Sequence, residues 1–318
     1  MQTLAVVGNQ PPELATRGEV LALEEGPMFD DPRSDDSRDR GEDPRDIDAR
    51  DREPVDPRDV FMRDLDLPRG HERDRVYDRD REYTLRQSET RTLSTVGAFR
   101  VVSSRDLRDH DGRSPDPHSG DLRHLRDQGL VRTVPMDGRK EVAVVLTERG
   151  RDVLESHRHD RDRDHTQEFY AELRKPREVE HDAQIYGAYL REAERLQERG
   201  ARVERVVLDY ELKRDYQRWL HERDNGDGRP NRDEDEIRDW AYEHDLPYFD
   251  EQLHFPDLRI EYRDADGRYD HDDVEVMTVH YRGARAAAAG RSGFRCHRGS
   301  SARTGGRSPD PDLAEEFV

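Results

Sequence analysis

The chain has 318 residues, of which 41% are charged and 31% hydrophobic, and its formal net charge at pH 7 is -20. This composition excludes a uniformly packed globule, because so few apolar residues must be concentrated in a few segments. The net charge makes the surface as a whole repel polyanions, so contact with nucleic acid requires a local positive patch.

Cysteine content and hydropathy limit the cellular compartments in which we expect the protein. One cysteine, Cys296, excludes an internal disulfide and a cysteine-rich zinc site. No apolar run approaches the roughly 20 residues of a membrane span. The opening MQTLAVVGNQPPELATRG lacks the basic start and long apolar core of a secretory signal. We therefore expect a cytoplasmic protein without a membrane partner.

The first 82 residues predict a disordered arm of mixed charge. Between Met28 and Gln87 the chain has 14 Lys or Arg and 20 Asp or Glu, and no helical or strand period persists. Such a segment buries too little apolar surface to offset the entropy lost on ordering. We expect residues 1–82 to form this acidic arm and residues 300–318 to form a disordered tail.

Residues 83–160 predict three helices followed by a hairpin and a closing helix. The first helix is expected in SETRTLSTVGAFRVV, the second in SSRDLRDH with Ser103 or Ser104 as its cap, and the third in GDLRHLRDQGL. Asp137-Gly138 between two strand-like runs is a strong hairpin signal. The order of these elements is typical of a winged helix-turn-helix.

The strings HLRDQGLVRTV, DGRK and VVLTERGRDVL resemble the winged-helix regulators, with Thr147 as the cap of the last helix. In that fold the third helix enters the major groove, where arginine can contact guanine edges and phosphates. The candidate DNA-binding residues, three on the third helix and two at the wing tip, are Arg123, His124, Arg126, Arg139 and Lys140.

The charge of this module leaves an alternative open. Ser88 to Arg158 contain 13 Lys or Arg and 12 Asp or Glu, a net charge of +1 that is positive only relative to the whole chain. Asp121 and Asp127 on the third helix would oppose phosphate contact. The alternative is a protein-interaction or dimerisation adaptor without DNA contact, in which the arginines pair with the aspartates.

After a linker at residues 161–177, residues 178–299 predict an α+β domain. A strong amphipathic helix is expected over about 180–199, because its apolar residues recur at helical spacing. The stretch from Val203 reads either as a strand to Leu208 or as the start of a long helix to Leu220. A further helix, DEIRDWAYEHDLPYF, precedes a hairpin formed by FPDLRIEY and VEVMT.

The predicted hairpin carries two carboxylates. Asp257 opens its first strand and Glu275 lies within its second. Nucleases of the restriction-endonuclease-like fold hold a metal between an Asp and a Glu placed this way and use a Lys two residues after the Glu. Met277 occupies that position here, so we expect a nuclease-like hairpin that has lost catalysis. The alternative is a Mg²⁺-dependent nuclease in which Asp257 and Glu275 are both catalytic and metal-binding.

The two halves together resemble the plasmid replication-relaxation family, in which a winged helix precedes a diverged nuclease-like domain. The winged-helix strings, the helix start EVEHDAQIYGAYLREA and the hairpin carry this resemblance. It implies an α+β protein that binds double-stranded DNA in the replication of a mobile element or its control. No cofactor is expected unless the nuclease alternative holds, when Mg²⁺ is required. A homodimer is possible.

Overall fold

The computed structural model describes residues 56–136, 139–159, 166–173, 176–222, 232–277 and 284–298. The fold of these residues is mixed α+β, and they belong to one compact unit. The arm as far as residue 55, the hairpin turn Asp137-Gly138, linker residues 160–165 and 174–175, and the tail 300–318 lie outside them. Among the described helices, none combines the length and apolar character needed to span a bilayer.

The prediction that the arm extends to residue 82 is wrong for residues 56–82. A short 3-10 helix at Val60–Met62 is buried, and strands β1 (Asp74–Asp78) and β2 (Arg81–Leu85) form an antiparallel hairpin. The backbone N–H of Asp66 donates to His157 at 2.7 Å, which ties this segment to the end of the module. The segment is therefore part of the folded unit, although charged residues surround its few apolar ones.

The module itself has the predicted hairpin and three of the four predicted helices. Its elements, in chain order, are α1 (Gln87–Phe99), β3 (Val101–Ser103), α2 (Gly120–Asp127), β4 (Val131–Pro135), β5 (Val142–Leu146) and α3 (Glu148–Ser156). The three strands form an antiparallel sheet in the order β3-β5-β4. Thr147 caps α3 as predicted, because its hydroxyl accepts the Gly150 N–H at 3.1 Å.

The predicted second helix is absent from the described structure. Ser103 is the last residue of β3 and pairs with Ala143, and the Ser104 N–H donates to the Val142 carbonyl at 2.8 Å. Ser103 and Ser104 are therefore bonded into the edge of the sheet and do not cap a helix. Residues 104–119 instead form a loop that is anchored by the buried side chain of Leu107.

The second half combines helices with a mixed sheet. Its elements, in chain order, are α4 (Val179–Glu198), β6 (Arg202–Leu208), α5 (Asp209–His221), α6 (Glu234–Glu243), β7 (Tyr248–Phe249), β8 (Gln252–Leu253), β9 (Leu258–Arg263), β10 (Tyr269–Met277), α7 (Ala284–Ser292) and β11 (Arg295–Arg298). Both alternatives for the stretch after residue 203 are partly realised, since a strand is followed directly by a helix. The predicted hairpin is formed by β9 and β10.

Four strands form one sheet in the order β11-β10-β9-β6, in which only β10 and β11 are parallel. Parallel neighbours need a crossover, which α7 supplies. One face packs on α4 through alternate residues of β9, for example Leu258 and Ile260. The opposite face carries charged residues such as Arg259, which pairs with Asp273 at 2.7 Å.

The two predicted domains share a core, so the boundary near residue 178 does not separate independent units. Tyr186 and Tyr189 of α4 contact Phe99 of α1 at ring-centroid distances of 4.9 and 5.1 Å. Phe61 contacts both Phe99 and Tyr189 at 5.3 Å. Part of the predicted linker is also packed, since Phe169 is buried in the same cluster. The apolar face of α4 therefore joins the two halves.

Candidate functional sites

The helix α2 is held in place by its apolar face and is ended by a glycine. Leu122 and Leu125 are fully buried, as the spacing predicts. Gly129 ends the helix with a φ of 72°, a conformation that glycine adopts without a steric cost. The remaining face of α2 carries the candidate DNA-binding residues.

Two of the five candidate DNA-binding residues are exposed at the surface. The Arg123 side chain on α2 is 63% exposed, and its Nε lies 3.4 Å from Asp127 in an exposed pair that contributes little to stability. Lys140, next to the hairpin turn, is exposed. Arg126 is partly buried, and its Nη1 donates to the Pro117 carbonyl at 2.5 Å, so it braces the preceding loop.

The predicted outward position of His124 and the predicted exposed wing-tip position of Arg139 are wrong. The His124 Nδ1 lies 2.9 Å from Glu89 Oε1 and its Nε2 lies 3.2 Å from the Thr84 hydroxyl, because a buried carboxylate of α1 draws the ring inward. The Arg139 side chain is only 13% exposed and pairs with Glu141 at 3.3 Å. Neither side chain presents a free edge to a DNA groove.

A buried ionic network joins α1 to α2, and the sequence pattern did not reveal it. Glu89 is fully buried and accepts hydrogen bonds from Arg73 Nε at 3.0 Å and from the Arg86 backbone N–H at 3.1 Å. Asp121 accepts from Arg86 and, at 2.6 Å, from the Ser88 hydroxyl. Burial raises the pKa of Asp121, but these hydrogen bonds outweigh burial and hold that pKa below its usual range.

The second candidate site lies where β9 begins and β10 ends. Asp257 Oδ2 accepts the Val276 backbone N–H at 2.8 Å, so the carboxylate of Asp257 fixes the end of β10. His181, in the first turn of α4, places its Nε2 3.3 Å from the same oxygen. Glu275 is buried on β10, next to Val276. The structure thus brings His181 together with Asp257, and places Glu275 in the same neighbourhood.

The electrostatics show how closely these groups interact. Burial first, and then the charge of Asp257, raise the pKa of Glu275 to about 8, against a hydrogen bond from the Asp257 backbone and the charges of His181 and Lys213. Burial lowers the pKa of His181, but hydrogen bonds to Asp182 and Asp257 outweigh it and raise that pKa to about 10. At neutral pH the site therefore holds a protonated Glu275 and an imidazolium beside Asp257.

The fit of this site to Mg²⁺ depends on pH. Asp257 and Glu275 offer the oxygen ligands that Mg²⁺ prefers, but Glu275 has to lose its proton before it can bind a cation. Among the described residues, the one group of three or more candidate ligands with ligand atoms within 4.8 Å of one another is Asp109, His110 and Asp111, in the loop before α2. The donor chemistry of Asp257 and Glu275 therefore fits a divalent cation above about pH 8.

Comparison with known proteins identified no relative of the chain: no family model matches it, and neither does any curated protein or solved structure.

Proposed function

We propose that the protein binds double-stranded DNA through α2 and the β4–β5 hairpin. The observation that supports this most directly is the arrangement around α2. A short helix packs on a three-stranded antiparallel sheet with a hairpin, and exposed cations lie on the helix at Arg123 and beside the hairpin turn at Lys140. We interpret this arrangement as a variant of the winged helix-turn-helix in which the loop of residues 104–119 takes the place of the second helix.

The charge distribution supports the same surface. Because the whole chain carries a net charge of -20, nonspecific attraction of DNA to the rest of the surface is unfavourable. Phosphate contacts then depend on a few exposed cations, and the buried Glu89 and Asp121 are neutralised by their own arginines rather than directed at the ligand. The role in plasmid replication or its control remains a prediction from the family resemblance.

The test is DNA binding by the double variant Arg123→Ala/Lys140→Ala. The matched control, Arg238→Ala/Arg268→Ala, removes two exposed arginines that pair with nearby carboxylates elsewhere in the fold. Binding of a labelled random-sequence duplex is measured by fluorescence anisotropy over a salt titration. Each lost phosphate contact reduces the log-log slope by about 0.9.

We expect the α2 and hairpin double variant to lose affinity and up to about 1.8 of the salt slope, which corresponds to two contacts. The control variant keeps the wild-type slope. If the two variants behave alike, another surface binds the DNA. If the wild-type protein does not bind at moderate salt, the module is the protein-interaction adaptor of the alternative prediction.

A Mg²⁺-dependent nuclease is the second candidate function, and the proximity of Asp257 to Glu275 favours it. In this function Asp257 and Glu275 hold the ion, which supplies Lewis-acid stabilisation of the cleaved phosphodiester. Lys213 of α5 brings a positive charge to a site that has Met277 in place of the expected lysine. Cleavage of a supercoiled plasmid with Mg²⁺ at pH 7 and pH 9 tests it, with Asp257→Asn as the inactive control. No cleavage at either pH excludes the nuclease.

A further inference from the structure

A cleft of about 1060 Å³ separates α3 from α5, away from the residues assigned above. The segment Thr166–Phe169 and the strand residue Arg205 contribute to its lining between these helices. Its volume is at the upper limit of pockets that enclose small ligands, which is about 1,000 Å³. The size of this cleft therefore suits a stretch of polymer better than a small molecule.

Arginines line both walls of the cleft, and on each wall they are separated by whole helical turns. On one wall, Arg151 lies on α3 and Arg158 follows two turns later, just beyond the end of that helix. On the other wall, Arg214 and Arg218 are one turn apart on α5. Residues four apart on a helix have Cβ atoms about 5–6 Å apart and lie on the same face. Both walls of the cleft therefore carry arginines, of which Arg158 is only 9% exposed and is held by Glu155 and the Gln167 carbonyl.

Carboxylates hold these guanidinium groups, and two of them remain exposed. Arg214 donates to Glu168 from both Nη atoms, at 2.8 and 2.6 Å, so its fork is already occupied by that carboxylate. The Arg151 and Arg218 side chains are 41% and 71% exposed, although each has a carboxylate within 3.5 Å on its own helix. A guanidinium has five N–H donors, so a single carboxylate leaves several of them available. Pairing of this kind orients an arginine for bidentate contact with phosphate.

The cleft is close to electrically neutral in an acidic chain. Its five arginines are balanced by four lining carboxylates, Glu155, Glu168, Glu211 and Asp215, and by Glu148 and Glu261, which pair with Arg151 and Arg205. Burial first, and then the charge of Glu168, raise the pKa of Glu211 to about 7. Part of the Glu211 population is therefore protonated at neutral pH, which reduces the negative charge of the cleft.

We propose that the cleft between α3 and α5 binds the phosphodiester backbone of a nucleic-acid strand through Arg151 and Arg218. This proposal rests on the proposed DNA binding. It adds the cleft to that function as a second contact surface. Phosphate is the ligand that matches these guanidinium groups, because it accepts two parallel N–H donors from each of them. The backbone of a duplex and that of a single strand offer the same group.

The test compares Arg151→Ala/Arg218→Ala with the control Arg238→Ala/Arg268→Ala in anisotropy salt titrations. Two probes are used, a random-sequence duplex and a single-stranded oligothymidylate of the same length. We expect the cleft variant to lose about 1.4 of the slope on the single strand or about 1.8 on the duplex, two contacts in either case. The probe on which the loss reaches its own two-contact value identifies the strand state that the cleft binds.

A second variant, Arg151→Lys/Arg218→Lys, keeps both charges and should restore the salt slope, so a loss through misfolding is distinguished from a loss of contact. A cleft variant whose slopes equal those of the control on both probes overturns the proposal. If Arg123→Ala/Lys140→Ala keeps its slope while the cleft variant loses its own, the cleft proposal stands and the α2 surface does not. The reverse pattern leaves the α2 surface as the DNA contact and refutes the cleft.

Discussion

The substitution Glu275→Gln should stabilise the protein at alkaline pH. A glutamine has the shape of a protonated glutamate but carries no charge at any pH. The pKa of Glu275 is about 8 in the folded protein, against 4.5 for the free side chain. Folding therefore binds a proton to this carboxyl at any pH between these two values, and the wild-type protein loses stability as the pH rises through that interval.

The magnitude follows from the size of the pKa shift. Each pKa unit corresponds to about 1.36 kcal/mol, so the full shift of Glu275 would cost about 5 kcal/mol above pH 8. Relaxation of the buried site and penetration of water reduce this figure. We expect the variant to be more stable than the wild type by about 2–5 kcal/mol at pH 9 and to differ little at pH 4.5.

The measurement is urea unfolding of both proteins between pH 4.5 and pH 9, with the free energy of unfolding taken from linear extrapolation. Glu261→Gln is the matched control on the same face of the sheet. Glu261 pairs with the buried Arg205 at 2.6 Å, and although burial opposes it, this pairing lowers the pKa of Glu261. The substitution leaves Arg205 with the longer pairing to Glu211 at 3.4 Å and should cost up to about 3 kcal/mol at pH 7. A stability difference between Glu275→Gln and wild type that does not grow with pH would refute the account of the site.

Two further predictions concern the fold. A Cβ at Gly150 would lie 2.2 Å from a backbone carbonyl oxygen, whereas a Cβ at Gly187 would meet nothing closer than 3.7 Å. Gly150→Ala should therefore destabilise the protein by about 2 kcal/mol or more, and Gly187→Ala should stabilise it by up to about 1 kcal/mol. Urea unfolding measures both changes. Phe61→Ala should cost about 3–5 kcal/mol, because Phe61 is 3% exposed within the shared core, whereas Tyr242→Ala should change stability by less than about 0.5 kcal/mol because Tyr242 is 85% exposed. A neutral Phe61→Ala in thermal unfolding would show that residues 56–82 are dispensable to the fold.

The long elements of this fold could be predicted from the sequence because their apolar residues keep one period. The helix α4 repeats its buried residues over five turns, and the hairpin β9–β10 alternates between an apolar and a charged face. The segment before residue 83 could not be predicted in the same way. Val76 and Tyr83 face inward on adjacent strands. Because charged residues surround them, the average composition of the segment is typical of disorder and gives no sign of the two strands.

The candidate sites show the limit of local patterns more sharply. The inward position of His124 depends on Glu89, which is buried on a different helix. The interaction of His181 with Asp257 joins two residues that are far apart in the chain. Such pairs are determined by tertiary packing. The periodicity of a sequence predicts which face of a helix or strand a residue occupies, but not which residue it contacts. The prediction that Arg123 is exposed needed only a face, and its side chain is 63% exposed.

The central claim is that α2 and the β4–β5 hairpin form the DNA-binding surface, and hydrogen exchange with and without a random-sequence duplex tests it most directly. Bound DNA should slow amide exchange in α2 and at the hairpin strands, while β9 and β10 exchange at the same rate in both states. The experiment uses the whole chain and needs no substitution, so its result does not depend on how a variant folds. Protection confined to other elements, with unchanged exchange in α2 and the hairpin, would contradict the claim.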